Sequence, residues 1–587
     1  MELETSRGIR LHQMAIRQGK PEVNGAEILR RMERDRADGI RLSVFPEWAL
    51  TGPLGAGEWL DPALGAACDE WLERIVAATA EGGAVLLGTA CLWRGKRVGA
   101  AVAAENGTFV FPEGSPLMFI PKLPCDADRF DAWTGGAAAL AIAYAEGVSP
   151  ETLFAPFRFG SLTVGVWCGG AAPALDARYG AEGCDTLIQL RSQPYMRDKA
   201  PFYPASVDRP ILMCGGVGLA DAGKVVFALT GGTGWVYPNG QIRLAPVLQE
   251  CALDWGMGNG TEAQADSAAP EMTVRVIEFA LRTYLERLGL ERVVIGASGG
   301  IDSALSAAIY SRVLADPAQL LLVNMPSRNN SQTTISLARQ LATAIGCNYT
   351  DIPIEESLAL TARQIEGRVC ERPGSDAPGV HLHLSPLAIE NVQARDRSGR
   401  ILSALSSAFG GVFTCNANKA ECTVGYGTLY GDISGFFAVL GDLWKREVWE
   451  LARFYNRSVF RREVIPQGSI DITPSAELSA QQNVDEGKGD PLIYPWHDRL
   501  FAAWTEREWP ASRESLLAWY REGTLAREVG YDGDIHALFP TEEAFAADLA
   551  RYGRLYQGLS RAKRLQAPPI LSLKSRTFGF DLGAAQI

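Results

Sequence analysis

Residues 292–324 restrict the fold more tightly than any other stretch of the chain. An apolar run at 292–297 leads into Gly296-Ala297-Ser298-Gly299-Gly300-Ile301-Asp302-Ser303, a helical pattern follows at 303–315, and a second apolar run covers 319–324. Strand, Gly-rich turn, helix and strand in that order predict a βαβ unit of a doubly wound parallel sheet. The small residues of the turn let backbone N–H groups approach an anion beside the positive end of the helix, so a phosphate fits there. The lysine of GxxxxGK[ST] is missing, which excludes the ordinary NTPase loop. A plainer alternative stays open at this point: a Gly-rich turn in which Ser298 or Asp302 merely caps the helix.

A chain of 587 residues exceeds what one core usually supports, so at least two domains are expected. The N-terminal part alternates helical patterns at 26–38 and 64–80 with apolar strands at 40–46 and 84–92, which is α/β layering. Asn106-Gly107 and Asn239-Gly240 each fall between strand-like segments, where both residue types accept the positive φ of a tight hairpin. Periodicity is lost in the small, polar, glycine-rich stretch WGMGNGTEAQADSAAP at 255–270. The reading is therefore a domain at 1–254, a linker at 255–270, and a second domain at 271–587 that opens with a helix at 273–288 and ends in a helical extension.

A formal charge of -12 argues against a nucleic-acid backbone as the main partner. No stretch is long and apolar enough to cross a bilayer, and the start has no apolar leader, so a cytoplasmic enzyme is expected. The eleven cysteines include no CxxC pair and are read as reduced thiols. Of five histidines only His12 precedes residue 380, which leaves a histidine base in the first domain a single candidate.

The complete string SGGIDS at 298–303 resembles the diphosphate-gripping loop of the ATP pyrophosphatases. Within that superfamily, Asn324-Met325-Pro326-Ser327-Arg328, Glu390-Asn391-Val392-Gln393-Ala394-Arg395, GYGTLYGD at 425–432, Pro474-Ser475-Ala476-Glu477-Leu478 and the tail with Arg576-Thr577-Phe578-Gly579 are similar to NAD synthetases. The resemblance implies ATP and magnesium as cofactors and deamido-NAD as substrate. It implies that Ser298, Gly299, Gly300, Asp302 and Ser303 bind ATP phosphates, that Arg395 supports the nucleotide, and that Asp302 and Glu421 hold magnesium. Asp432, Lys445 and Ser475 would line the shared site. Where the family usually reads TTGNKSE this chain has Cys415-Asn416-Ala417-Asn418-Lys419-Ala420-Glu421, and Asn416 supplies the polar contact there. Carboxylates suit a hard cation, and fixed positive charge suits a departing diphosphate. Taken alone, Lys445 could equally belong to a solvated helix face.

In the first domain, Phe45-Pro46-Glu47-Trp48, Ile120-Pro121-Lys122-Leu123-Pro124 and Val164-Gly165-Val166-Trp167-Cys168-Gly169-Gly170 resemble the Glu, Lys, Cys triad of the nitrilase-type amidases. Such amidases are α/β sandwiches. In that reading Cys168 attacks the side-chain amide of glutamine, Glu47 shuttles the proton, and Lys122 with a backbone N–H stabilises the oxyanion. The bland reading makes Cys168 a core cysteine and Glu47 with Lys122 a structural ion pair. Asp126, Asp128 and Asp131 are all candidates for a second carboxylate.

Together the two halves resemble a glutamine-dependent NAD synthetase, which implies a homo-oligomer acting on glutamine, ATP and deamido-NAD. Two alternatives remain at this stage. One is another ATP-pyrophosphatase amidotransferase, such as GMP or asparagine synthetase, against which the histidine-poor first half and Glu2 both argue. The other is an ammonia-dependent synthetase whose amidase domain is inactive or uncoupled.

Overall fold

The structure is a computed structural model that describes residues 8–54, 58–122, 136–169, 183–201, 203–204, 209–255, 261–262, 269–507 and 509–577. It divides into two compact units, one comprising Met1–Ala222 with Val226–Met272, the other Gly223–Val225 with Thr273–Ile587. Most of the expected linker, 256–260 and 263–268, lies outside the described residues.

In the first unit, β1 (Ile9–Gln13) is followed by α1 (Pro21–Ala37), β2 (Leu42–Val44), α2 (Pro62–Ala78), β3 (Ala84–Trp93), β4 (Lys96–Glu105) and β5 (Phe119–Pro121). Strands β1, β2 and β3 are parallel, and β4 turns back antiparallel to β3. A second sheet holds β6 (Leu162–Cys168), β7 (Thr186–Arg191) and β8 (Ile211–Gly215), with β7 parallel to both neighbours. Residues of both sheets and of α1 and α2 share one apolar core, among them Leu11, Ile28, Val44, Ile75, Leu86, Val164, Ile188 and Leu212. Two sheets sharing one core with the helices bear out the α/β layering of the alternating patterns and form the α/β sandwich that the amidase resemblance implies.

The two hairpin signals resolve differently. Asn106 and Gly107 both adopt positive φ, 54° and 76°, and join Glu105 to its partner Thr108 in a two-residue turn. At the second site only Gly240 has positive φ, 81°, while the Asn239 side chain accepts from the N–H of Gln241 at 3.0 Å. Asparagine there works through its side-chain oxygen and not through its backbone conformation.

The second unit is built on a parallel sheet of β9 (Val293–Gly296), followed by α3 (Ile301–Val313), β10 (Leu320–Asn324), α4 (Gln332–Ile345), β11 (Asn348–Asp351) and β12 (Val412–Phe413). The spatial order is β11-β10-β9-β12, so the chain reverses its winding beside β9. In such sheets ligands bind at the carboxyl ends of the strands flanking that reversal. Helix α3 begins two residues before the sequence pattern suggests, because Gly300 is its N-cap and makes no side-chain cap bond. Neither Ser298 nor Asp302 caps it.

Helices α5 (Lys419–Val424), α6 (Lys445–Phe454) and α7 (Tyr494–Thr505) then lead into the expected C-terminal helical extension, whose own core gathers Trp496, Phe501, Leu516, Tyr520, Phe545 and Tyr552. A buried charge network ties this part together. Lys419 Nζ donates to Asp442 Oδ1 at 2.7 Å, to Glu506 Oε1 at 2.8 Å and to the Arg576 carbonyl at 2.9 Å. Lys574 contacts Glu506 at 3.0 Å and Glu447 at 2.8 Å. Asp442 Oδ2 also accepts from the backbone N–H groups of Leu573 and Lys574, at 2.7 and 2.9 Å. Each buried charge thus has an opposite charge or several donors, the condition under which burial is tolerated.

Burial works against the charge of Glu506, but Lys419 and Lys574 more than offset it and hold the carboxyl down to about 2. Its folded value is below its unfolded one, so its stabilisation is complete above about pH 4.5 and is lost as pH falls toward 2. Glu506→Gln is expected to lose roughly 3 kcal/mol at neutral pH. The gap from wild type should narrow in urea melts at pH 3, and a gap of the same size at pH 3 and pH 7 would contradict the assignment.

Candidate active site

Three elements of the first unit bring the amidase candidates together. Glu47 follows β2 in a tight passage where Ala49 N–H donates to Gly88 O at 2.9 Å and Gly88 N–H to Pro46 O at 3.0 Å. A Cβ on Gly88 would lie 2.4 Å from the Glu47 Cα, so only glycine lets the Glu47 backbone rest against β3. Trp48 takes a positive φ of 57°, a strained conformation for a bulky residue. Lys122 follows β5, anchored by its N–H to Gly99 O at 2.8 Å. Its Nζ is 2.9 Å from Glu47 Oε1 and 5.3 Å from the centre of the Trp48 ring. Cys168 ends β6, opposite Leu190, and Gly169 turns the chain away with φ 94° and an N–H bond to Leu190 O at 3.0 Å.

All three side chains are buried, at 4%, 4% and 1% exposure. Burial raises the Cys168 thiol well above its ordinary pKa; the Glu47 carboxylate raises it further and the Lys122 ammonium pulls it back. The thiol is therefore neutral in the free protein, and a nucleophilic role requires proton transfer to the neighbouring carboxylate as it attacks. His12 is no rival base. It is buried, stacked on Phe45 with ring centres 4.7 Å apart, and its Nε2 is 2.6 Å from Asp35 Oδ2. Asp126, Asp128, Asp131 and Gly170 lie outside the described residues. All the described cysteines are free thiols.

In the second unit a cavity of about 540 Å³ opens at the carboxyl end of β9, and Ser298, Gly300, Asp302, Ser303, Arg395, Asn416, Glu421, Asp432, Lys445 and Ser475 all line it. The turn before α3 is held from within. Ser303 Oγ donates to Gly300 O at 3.1 Å, and Ser298 Oγ lies 3.2 Å from Ser303 Oγ and accepts from Gly300 N–H at 3.2 Å. Gly299 has φ 84°, and a Cβ on it would meet the Thr334 carbonyl at 2.2 Å. It shapes the loop without lining the cavity.

Lys445, the first residue of α6, bonds Asp302 Oδ2 and lies 3.8 Å from Glu421 Oε1. Asn418 Nδ2 donates to Asp302 Oδ1 at 3.0 Å, while Asn418 and Glu421 form a reciprocal capping box at the start of α5. Burial opposes charge on Lys445, yet Asp302 and Glu421 outweigh it and raise its pKa. Burial and the nearby Asp302 push Glu421 up to about 8. Two partly exposed carboxylates and a buried lysine are thus fixed together at the start of α3.

The remaining sequence candidates differ in how they meet the cavity. Asn416 accepts from Thr414 Oγ1 at 2.8 Å. Asp432 accepts from Thr428 N–H at 2.7 Å, and burial raises its carboxyl. Ser475 Oγ donates to Gln482 O at 2.5 Å, which makes it part of a turn. Arg395 is exposed and donates to Leu429 O at 3.0 Å. Phe578 and Gly579 of the tail lie outside the described residues.

Sequence reasoning missed Asp490, Tyr426, Arg397 and Lys563, all of which line the cavity. Asp490 accepts from the Tyr426 hydroxyl at 2.9 Å and the Tyr494 hydroxyl at 3.1 Å. Arg397 donates to Met325 O at 3.0 Å, and burial lowers its pKa to about 10. The local signal in this group was for Tyr426, which lies in the GYGTLYGD segment at 425–432.

Residues 273–512 match the family model "NAD synthase". A curated relative, the glutamine-dependent NAD(+) synthetase of Rhodobacter capsulatus, is 30% identical over 505 residues, which are 81% of this chain and 84% of the relative. Two solved glutamine-dependent NAD+ synthetases share the fold from end to end. That of Cytophaga hutchinsonii has a TM-score of 0.68 at 15% identity, covering 98% of this chain and 96% of its own. That of Acinetobacter baumannii, solved with ADP, has a TM-score of 0.62 at 21% identity and covers 97% of each chain. Identity of 30% to the Rhodobacter capsulatus relative across 81% of this chain and 84% of that one, with the same fold in both units, places the chain in the family of glutamine-dependent NAD(+) synthetases.

Proposed function

We infer that this chain is a ligase that hydrolyses glutamine and uses ATP to amidate deamido-NAD to NAD. The observation that carries this reading is the convergence of the 298–303 turn with Asp302, Glu421 and Lys445 around one cavity. In the synthetase site the deamido-NAD carboxylate attacks the α-phosphorus of ATP, diphosphate leaves, and ammonia displaces AMP from the resulting acyl adenylate. The N–H groups at the start of α3 and the ammonium of Lys445 meet the negative charge that grows on the leaving diphosphate. The carboxylate of Asp432 and the guanidinium of Arg397 line the part of the cavity left for deamido-NAD.

Among the described residues no three His, Cys, Asp or Glu side chains cluster as a metal-ligand set. Two carboxylates are nonetheless what a phosphate-bridging magnesium takes, because waters and phosphate oxygens fill its other positions. The elevated pKa of Glu421 beside Asp302 is the electrostatic strain that a dication relieves. Asp302 and Glu421 would hold magnesium, which supplies charge neutralisation on the phosphates when bound.

In the amidase site Cys168 Sγ attacks the carboxamide carbon of glutamine as Glu47 takes the thiol proton and passes it to the departing ammonia. Water, deprotonated by Glu47, then releases glutamate from the thioester. Lys122 keeps Glu47 oriented and faces the oxyanion. We place the enzyme in the cytoplasm as a homo-oligomer on the family resemblance; light scattering on the purified chain tests the assembly.

Asp302→Ala should abolish NAD formation from glutamine and from ammonium alike, since the same carboxylate serves both. Appreciable ammonium-driven synthesis in that variant would contradict the role. With ATP, magnesium and deamido-NAD but no nitrogen source, the wild-type protein should release diphosphate and accumulate adenylated deamido-NAD on chromatography; ADP and phosphate instead would mean a different ATP chemistry. Cys168→Ala should retain ammonium-dependent synthesis and lose glutamine-dependent synthesis by about a thousandfold or more, some 4 kcal/mol of barrier. Equal loss with both donors would point to a folding defect, and equal retention to a core cysteine.

A further inference from the structure

The second unit holds another cavity, of about 400 Å³, whose lining includes Arg446, Trp449, Arg453, Arg499, Tyr531 and Asp532. None of these residues lines the larger cavity. Arg446, Trp449 and Arg453 recur along one face of α6 at helical spacing, and Arg499 projects from α7. Three guanidiniums therefore converge on a pocket whose only carboxylate is Asp532, fully exposed and 3.9 Å from Arg499.

The neighbouring acids offset them only in part. Glu447 approaches Arg446 only to 3.9 Å and is bound by Lys574 at 2.8 Å. Asp498 accepts from the backbone N–H of Arg446 at 2.9 Å, and burial raises its carboxyl to about 7. The buried Nε of Arg446 has no hydrogen-bond partner among the described residues. Burial and the adjacent Arg446 lower the pKa of Arg499 by more than Asp532, Asp498 and Glu447 raise it, so like charges are held together in a chain of net charge -12. Such a site attracts anions locally against the overall field.

We propose that this pocket is a second anion site that binds a phosphate-bearing ligand apart from the synthetase cavity. Forked guanidiniums match phosphate oxygens in pairs, and the Trp449 and Tyr531 rings line the same pocket. Its volume accommodates a group larger than one phosphate. Arg446 follows Lys445 in the first turn of α6, so an occupant would contact the helix that positions the Asp302 partner.

Calorimetric titration of the full-length protein with inorganic diphosphate at low ionic strength tests this. Two sites per chain are expected, with one lost in Arg453→Gln/Arg499→Gln and the other unchanged. In crystals soaked with tungstate, an anomalous peak should lie among Arg446, Arg453 and Arg499. A single site in the wild type, or two retained in the double variant, would overturn the proposal. Should the double variant fold poorly by circular dichroism, the exposed Arg453→Gln alone must weaken the second site at least tenfold, and an unchanged affinity would equally overturn it. Loss of self-association in the variants without any change in diphosphate binding would show the pocket to be an interface between copies and refute the assignment.

Discussion

The contact of Lys445 with Asp302, with Glu421 beside it, fixes the geometry of the synthetase unit. Asp302 belongs to the first turn of α3, Glu421 to α5 and Lys445 to α6, so three separate helices meet at one ammonium. Asn418 strengthens the junction by bonding Asp302 while capping the helix that carries Glu421. The arrangement is electrostatically unfinished. Two carboxylates face one cation, and burial together with the nearby Asp302 raises Glu421.

Lys419 shows what a finished arrangement looks like. It is as buried as Lys445, yet it meets two carboxylates at 2.7 and 2.8 Å and a carbonyl at 2.9 Å. All three of its N–H bonds are satisfied, so it holds α5 and the 571–577 segment in place and has nothing left for a ligand. Lys445, with one close carboxylate and another at 3.8 Å, keeps donors to offer. Side by side, the two lysines separate a structural ion network from a binding one by saturation and not by burial.

Much of this was legible in the sequence, for identifiable reasons. The 298–303 turn could be read because its residue types answer to local backbone geometry: Gly299 needs φ 84° and no Cβ, and Gly300 leaves the helix start uncapped. The sequence also carried Glu47, Lys122 and Cys168 as ends of apolar runs, and the sheet order brings those ends together. Asp490, Arg397 and Lys563 were not legible, because what brings them to the cavity is tertiary packing that leaves no period or spacing in the chain. Ser475 and Arg395 show the converse. Each belongs to a recognisable motif, yet the hydroxyl is engaged in a turn and the guanidinium in a loop carbonyl.

The two sites of the chain use a lysine–carboxylate pair to opposite ends. In the sandwich, Glu47 and Lys122 lie 2.9 Å apart, and both are nearly inaccessible beside a thiol whose ionisation burial suppresses. A buried pair next to a thiol that burial keeps protonated favours attack concerted with proton transfer, since a free thiolate is not stable there beforehand. In the synthetase cavity Lys445 is as buried, but its partner Asp302 keeps 18% of its side chain exposed. Solvent access thus separates two otherwise similar pairs: the one in the sandwich is closed on both sides, and the one in the cavity is open at its carboxylate.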